Sequence, residues 1–506
     1  MNPTEAMKSS IRYAALRRTA LLFLSAVTLL GGCREKDDPA RDESKYSADE
    51  LTRYYVNLFT HDLVATYYLW VDEQEVADKV AAWELFADPI RTVADLRYRD
   101  AAGNLVDRWT QVTDDYTSFL GSVTGNTMSY GYDVALYYRD GQRQDVDAVV
   151  TFTYDEGPAR QAGLKRGDTI VKVNGKSMNT DNYADIVNNE LFGGSSCSLT
   201  LEDGSVKTLT AVKMYENPVN VVKTLDDGAQ KIGYLHFTGF TADACEDLIE
   251  ACTRFKQDGI RTLVLDLRYN GGGYVITEEV LASMLAPVAE VTAGSIFEKE
   301  IYNKTLTEAF KEESVSYFRT EFDFKIDGKS HQLSTRDANI GIDKLYVIQT
   351  RSSASASESL VCGLKPYLDI TLVGGQTHGK YCAGIIESAA DWYDAVREQL
   401  RKDEYTQGKK WSDNWGCYVM YSRYADKNGV TLSMPDGLAP DVEEEDDPFD
   451  GQELGSPGET MLARVLSLAG FHTAETTASR PDRPHREALP DMPRREGFGI
   501  LVNQPR

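Results

Sequence analysis

The punctuation between Gly157 and Gly175 constrains this chain more tightly than any other stretch. Pro158, with its fixed φ and missing N–H, suits the first turn of a short helix, and Gly163 suits that helix's left-handed end. Gly167-Asp168 then turns the backbone into the apolar run Thr169 to Val173, which stops at Asn174-Gly175. Further β-rich runs at Val134 to Tyr138, Val149 to Phe152 and Ser198 to Leu201 are separated by glycine and aspartate turns. Residues 129 to 215 therefore read as a small β domain. A chain of 506 residues is too long for one core, so other folding units must flank it.

From about Gln230 the pattern alternates strand and helix. Ile232 to Phe237, a helix around Asp243 to Phe255, Thr262 to Leu267, Leu345 to Gln349 and a helix after Ser355 predict an α/β core. The first of these helices carries Cys245, Leu248, Ile249, Cys252 and Phe255 on one stripe, with Glu246, Asp247 and Glu250 opposite, as packing on a sheet requires. Residues 294 to 340 form a polar excursion, read as a lid or strap. Ahead of the β unit, Leu51, Tyr54, Tyr55, Leu58 and Phe59 recur at helical spacing and predict a separate N-terminal helical domain. Its exit, Asp114 to Leu120, has residues suited to caps and turns. Beyond about Gly470, Pro481, Pro484, Pro490 and Pro493 stand among arginines and acids, which predicts a disordered tail.

The N-terminus sets the expected compartment. Lys8, Arg12, Arg17 and Arg18 precede an apolar run from Thr19 to Leu30, the layout of a secretory signal and too short for a membrane span. Leu30-Gly31-Gly32-Cys33 looks like a bacterial lipobox, which makes Cys33 the lipidated first residue; the alternative is a cleaved soluble signal with an incidental cysteine. Arg34 to Ser47 reads as a tether, and Lys36-Asp37-Asp38 is similar to acidic surface-export signals. The expectation is an exported bacterial lipoprotein of the cell envelope, at the outer membrane, facing the periplasm or the surface. Net charge is -25, from 79 acids against 54 bases, which disfavours nucleic acid as a partner. Hydrophobic residues make up 42% of the chain, enough to build sizeable cores. Cys245 and Cys252 lie seven residues apart on one helix, ~10 Å along its axis, and cannot pair. Buried free thiols are the expected state of the remaining cysteines.

The stretch Gly157 to Gly175 resembles the PDZ signature. PDZ domains take a peptide as an added strand and hold its carboxylate on backbone N–H groups. The resemblance implies a carboxylate loop at Ser129-Tyr130-Gly131-Tyr132, with Tyr130, Gly131 and Tyr132 as peptide-binding residues and Gly131 where the backbone approaches the ligand closely. A PDZ domain kept as a structural or gating element stays open as the alternative.

Three segments of the α/β core resemble, in order, the C-terminal processing (tail-specific) serine peptidases, and with the PDZ signature the resemblance spans roughly residues 47 to 465. Leu265 to Gly273 is a strand ending in a glycine turn whose bare N–H groups suit an oxyanion; the turn lacks the Walker lysine and the dinucleotide spacing of a phosphate site. Ser353-Ala354-Ser355-Ala356-Ser357-Glu358 follows a buried strand, where a serine is either a nucleophile at a strand-to-helix turn or a helix N-cap. Val373 to Lys380 supplies a glycine turn and a lysine. In the family the lysine lies 25 residues after the nucleophile, and 380 minus 25 selects Ser355 over Ser353 and Ser357.

The resemblance thus implies Ser355 as nucleophile, Lys380 as general base, and Gly273 and Ala356 as oxyanion donors, with no cofactor. A lysine base needs its pKa lowered from ~10.4 toward about 7 to 8, and Gly379, Tyr381, Cys382 and Ala383 offer no carboxylate to hold the charge on. His378 competes as base. Glu358 also matches the family and is expected to help position its helix. Two positions depart from the family: the aspartate eleven residues after the nucleophile is Pro366, and the glutamine four after the lysine is Gly384.

The implied fold is multidomain α/β. A Clp/crotonase-like α/β catalytic core (216 to 465) follows an N-terminal helical domain (47 to 122) and a small β-rich PDZ domain (123 to 215); the signal (1 to 32), tether (33 to 46) and tail (466 to 506) complete the chain. The implied activity is endopeptidase cleavage of exported polypeptides selected by their carboxyl-terminal tails. The rival is a catalytically silent PDZ-containing binding or scaffold lipoprotein, for which Pro366 and Gly384 speak. Scattered histidines without HExxH spacing make a metal enzyme the weakest alternative.

Overall fold

The computed structural model describes residues 39, 42–124, 126–310, 315–326, 329–432, 436–472 and 486–489. The signal segment and Cys33 lie outside the described residues. Within them no helix is long and apolar enough to cross a membrane.

A six-stranded sheet forms the centre of the α/β core. Its spatial order is Val219–Asp226, Lys231–Phe237, Thr262–Asp266, Lys344–Gln349, Asp369–Gly374 and Val442–Glu443, the first pair antiparallel and the rest parallel. Parallel strands are covered on both faces, which explains the unbroken apolar run Leu263-Val264-Leu265. Leu263 and Leu265 point into the main core with the helices Ala244–Gln257 and Val275–Leu285, while Val264 points to the opposite face under the helix Thr460–Leu468. The five parallel strands therefore end at one edge of the sheet, where the candidate site lies.

A second, antiparallel sheet packs alongside. Its long strand Gly416–Asp426 pairs with Gln111–Thr113, Ile296–Tyr302 and Cys382–Ser388. The expected lid over 294 to 340 is instead built into this layer. Ile296–Tyr302 and Val315–Tyr317 are sheet strands, Glu321–Ile326 and Lys329–Ser334 form a hairpin, and Phe297, Phe318, Phe322 and Phe324 are buried in the main core. The alternating polar residues of that stretch are the solvent side of half-buried strands.

The expected separate helical domain is likewise corrected. The helix Ala48–Tyr67 contributes Leu51, Tyr55 and Phe59 to the same core as the central sheet. Trp392 Nε1 donates to Asp62 at 2.8 Å and Tyr393 OH donates to the Tyr55 carbonyl at 2.9 Å, so the N-terminal helices form a layer of the α/β core. The tail is corrected in part. Met461, Leu462, Val465 and Leu466 anchor the helix Thr460–Leu468 across the expected boundary at 465, and Phe471 extends the same cluster. Residues 486–489 also have a defined place, beside the PDZ domain.

The PDZ domain has a core of its own beneath the strands Tyr132–Tyr138, Asp145–Thr153, Thr169–Val173, Ser196–Leu201 and Val206–Thr210. Pro158 opens the short helix Pro158–Gln161, and Gly163 and Gly167 sit at φ 78° and 88°, as the sequence pattern requires. A buried ionic cluster docks this domain. Arg166 reaches out of the PDZ turn to Asp446 at 2.6 Å and to Tyr269 OH at 2.8 Å, while Arg268 bonds Asp266, Asp446 and Glu459. Arg268 and Tyr269 directly precede the glycine turn of the candidate site. All six cysteines from Cys197 onward are buried and free, as expected.

Candidate active site

The strand Thr262–Asp266 ends in the turn Asn270-Gly271-Gly272-Gly273, where Gly272 and Gly273 adopt φ values of 106° and 147°. A Cβ on Gly273 would stand 2.3 Å from the Phe240 carbonyl oxygen, and one on Gly272 would stand 2.7 Å from the Ser355 Cβ and 3.1 Å from the Ala356 nitrogen. Only bare backbone fits between them. Asn270 welds the turn: its amide donates to the Phe237 carbonyl, its side-chain oxygen accepts from Gly272 N–H, and its carbonyl accepts from Ala354 N–H and from Ser357 Oγ.

Ser355 sits between the strand Lys344–Gln349 and the helix Ala356–Leu364, at φ 62° and ψ -118°. A non-glycine residue at positive φ is costly and is held there by its surroundings. Here Glu358 Oε2 accepts the Ser355 N–H at 2.9 Å. The three serines differ in what their hydroxyls do. Ser353 Oγ donates to the Leu267 carbonyl and Ser357 Oγ to the Asn270 carbonyl, whereas Ser355 Oγ is buried with no hydrogen-bond partner among the described residues. Ser355 is the N-cap residue of that helix, and the Glu358 side chain closes back onto its N–H. Ala356 is the first residue of the helix, so its N–H has no acceptor one turn back.

Lys380 arrives on the turn after Asp369–Gly374 and is fully buried. Its Nζ donates to Tyr418 OH at 3.0 Å and lies 5.6 Å from the Trp109 ring centroid. Burial among aromatic rings lowers its pKa from 10.5 to about 8. Nζ makes no hydrogen bond to Ser355 Oγ, which has no partner among the described residues. The two backbones are nonetheless held together, because Glu358 Oε2 accepts both the Ser355 and the Lys380 N–H. Glu358 also accepts from Gly379 N–H and Thr377 Oγ1, yet its burial raises its pKa. His378 is half-buried; its N–H bonds the Ser353 carbonyl, and its ring lies 5.9 Å from Trp109. Ser355 Oγ receives no bond from it.

The two departures from the family pattern have different structural meanings. At Gly384 a Cβ would stand 2.3 Å from the Tyr418 ring, so the missing side chain makes room for the tyrosine that engages Lys380. Pro366 lies beyond the far end of the helix Ala356–Leu364, ~16 Å from Ser355 at 1.5 Å per residue. Tyr418, Trp109 and Asn270 escaped sequence reasoning. Only Asn270 had a local signal, as the polar residue opening a glycine run.

In the PDZ domain Tyr130 and Tyr132 are core residues. Their hydroxyls donate to the carbonyls of Gly193 and Leu191. At Gly131 the backbone approaches Gly157, whose Cα would lie 2.5 Å from a Cβ there. Ser129 Oγ accepts the Gly131 N–H, which closes the loop on itself.

This site, a glycine turn abutting a strained serine beside a desolvated lysine at a sheet edge, defines the class of fold. Residues 231–444 match peptidase family S41 and residues 149–192 match a PDZ domain. Over these residues the chain is similar to the C-terminal processing peptidases. Among curated relatives, a CtpA-like serine protease of Staphylococcus aureus is 26% identical over 63% of this chain and 55% of its own length. A chloroplastic C-terminal processing peptidase of Tetradesmus obliquus is 28% identical over 64% of this chain and 60% of its own. The chain thus spans a little over half the length of these relatives. The fold is shared with an S41 protease from Bacteroides fragilis, at TM-score 0.59 and 20% identity, over 82% of this chain and 97% of that one.

Proposed function

We propose that this chain is a serine endopeptidase that cleaves exported polypeptides through a Ser355–Lys380 dyad. Neutral Lys380 takes the proton of Ser355 Oγ as that oxygen attacks the scissile carbonyl carbon. The N–H groups of Gly273 and Ala356 hold the oxyanion. Collapse returns the proton to the leaving amine, and water then hydrolyses the acyl-enzyme by the same sequence. The observation that carries this reading is the pairing of an unbonded hydroxyl on a strained elbow with a buried lysine whose pKa has fallen to about 8. Anchoring through Cys33 and selection of substrates by their carboxyl-terminal tails belong to the same proposal.

The Nζ–Tyr418 bond favours a second reading, a binding protein without turnover, because Nζ bonds that hydroxyl and Ser355 Oγ has no partner among the described residues. A fluorophosphonate probe separates the two. Labelling of wild type and not of Ser355→Ala supports the peptidase; absence of labelling in both supports the binding protein.

A further inference from the structure

The strand Tyr132–Tyr138 is an edge of the PDZ sheet. On one side it pairs with Asp145–Thr153, and on the other it meets a segment from the far end of the same chain. Tyr138 N–H donates to the Glu487 carbonyl and Leu489 N–H donates to the Leu136 carbonyl, each at 2.9 Å, with an antiparallel bridge between Tyr137 and Ala488. As residue number rises in the segment, its partners fall from 138 to 136, so it runs toward the loop Ser129–Tyr132. Leu489 packs on the PDZ core together with Tyr138 and Tyr183 of the flanking helical turn Tyr183–Ile186. A PDZ domain receives a peptide in the same way, as an antiparallel strand on an open edge with alternate side chains in pockets.

Two arginine contacts make the fit specific. Arg143 forks onto the Glu487 carboxylate at 2.7 and 2.8 Å. Arg486 reaches the buried Asp147 at 3.2 Å and Glu202 at 2.5 Å, with its guanidinium 5.6 Å from the ring of Phe449 in the peptidase domain. The segment therefore touches both domains at once.

We propose that residues 486–489 are an intramolecular ligand of the PDZ groove, which a polypeptide tail of similar chemistry must displace before it can be held there. This rests on the reading of the PDZ domain as a receptor for substrate tails. A tethered strand faces its groove at an effective concentration of roughly millimolar, so weak tails are excluded and tight or abundant ones are admitted. Polypeptides presenting an apolar residue with an arginine three positions before it are the favoured competitors, since that spacing reproduces Leu489 and Arg486.

The test compares three chains on a Ser355→Ala background: full length, a form ending at residue 485, and full length with Leu489→Asp and Arg486→Glu. Amide hydrogen exchange is read at Tyr138, with Val149 and Val150 as internal controls. Tyr138 should exchange roughly tenfold or more faster in both altered chains while the controls stay protected. A labelled peptide of residues 484 to 491 should bind the truncated chain and restore protection, and bind full length at least about tenfold more weakly. Equal Tyr138 exchange in all three chains overturns the proposal. So does equal peptide binding, or protection that depends on protein concentration, which would assign the strand to a second copy. These readouts need no turnover, so a failed fluorophosphonate experiment would sink the peptidase reading and leave this one standing, and the reverse.

Discussion

Lys380 combines two demands that oppose each other, and each can be measured. As a base it must be neutral, and burial holds its pKa at about 8, so kcat/KM should rise with pH to a plateau with an inflection near that value. Lys380→Arg, which keeps the charge and cannot deprotonate, should abolish turnover, and His378→Ala should leave most of it. Tyr418 accepts a hydrogen bond from the ammonium, which favours the charged form. Tyr418→Phe should move the inflection down by about half a unit to one unit, whereas a residue that merely packs would leave it in place. Stability pulls the other way. Between pH 8 and 10.5 the unfolded chain binds more protons at this lysine than the folded chain, so folding gains from rising pH in that window and bears the full cost of the buried charge below it. Lys380→Met should therefore be inactive and more stable, by about 3 kcal/mol at most near pH 7, with the gain shrinking toward pH 10.5 in denaturant titrations. The 25-residue spacing made this lysine legible. Its partner was not, because Tyr418 enters from a strand 38 residues away in sequence, and Gly384 read in isolation is a loss rather than a vacancy that an aromatic ring fills.

The helix Ala356–Leu364, which follows Ser355, owes its position to elements on every side. Its first turn is tied by Glu358 to the lysine turn, and Ser359 further along bonds Glu298 of the strand Ile296–Tyr302. Glu278, from the helix Val275–Leu285, is buried near the same carboxylate, and burial together with the Glu298 charge raises its pKa well above 4.5. A carboxyl that holds its proton more tightly when folded loses stability as pH rises from its unfolded value through its folded one. Glu278→Gln should leave the melting temperature unchanged near pH 4 and raise it by several degrees at pH 7; an unchanged value at pH 7 would count against the buried charge. Local periodicity foretold the strands and helices of this core because each buries one stripe or both faces. It misread residues 294 to 340, since a strand half-covered by the main core shows the same polar alternation as an excursion into solvent. It also missed the place of residues 486–489, where strand pairing depends on an edge that lies some 350 residues upstream.

Across the whole molecule, Arg166 bolts the PDZ domain to the α/β core. It is buried between the PDZ turn and the stretch that leads into the glycine turn, where it helps hold Asp446 far below the usual carboxylate range. Arg166→Met leaves Asp266, Asp446 and Glu459 facing Arg268 alone, and removing one partner of a buried ionic cluster costs about 3–5 kcal/mol. Calorimetry should then resolve the PDZ domain, which has its own core, as a separate transition; one cooperative transition at the wild-type temperature would refute the docking role. The layer formed by the N-terminal helices has a different consequence, for the order in which the chain acquires structure. Asp62 finds its partner Trp392 330 residues downstream, and Gln111–Thr113 finds its strand only in Gly416–Asp426. Whatever emerges first from the ribosome cannot close its own core until Gly416–Asp426 has been made, which keeps the nascent chain loose until late in synthesis.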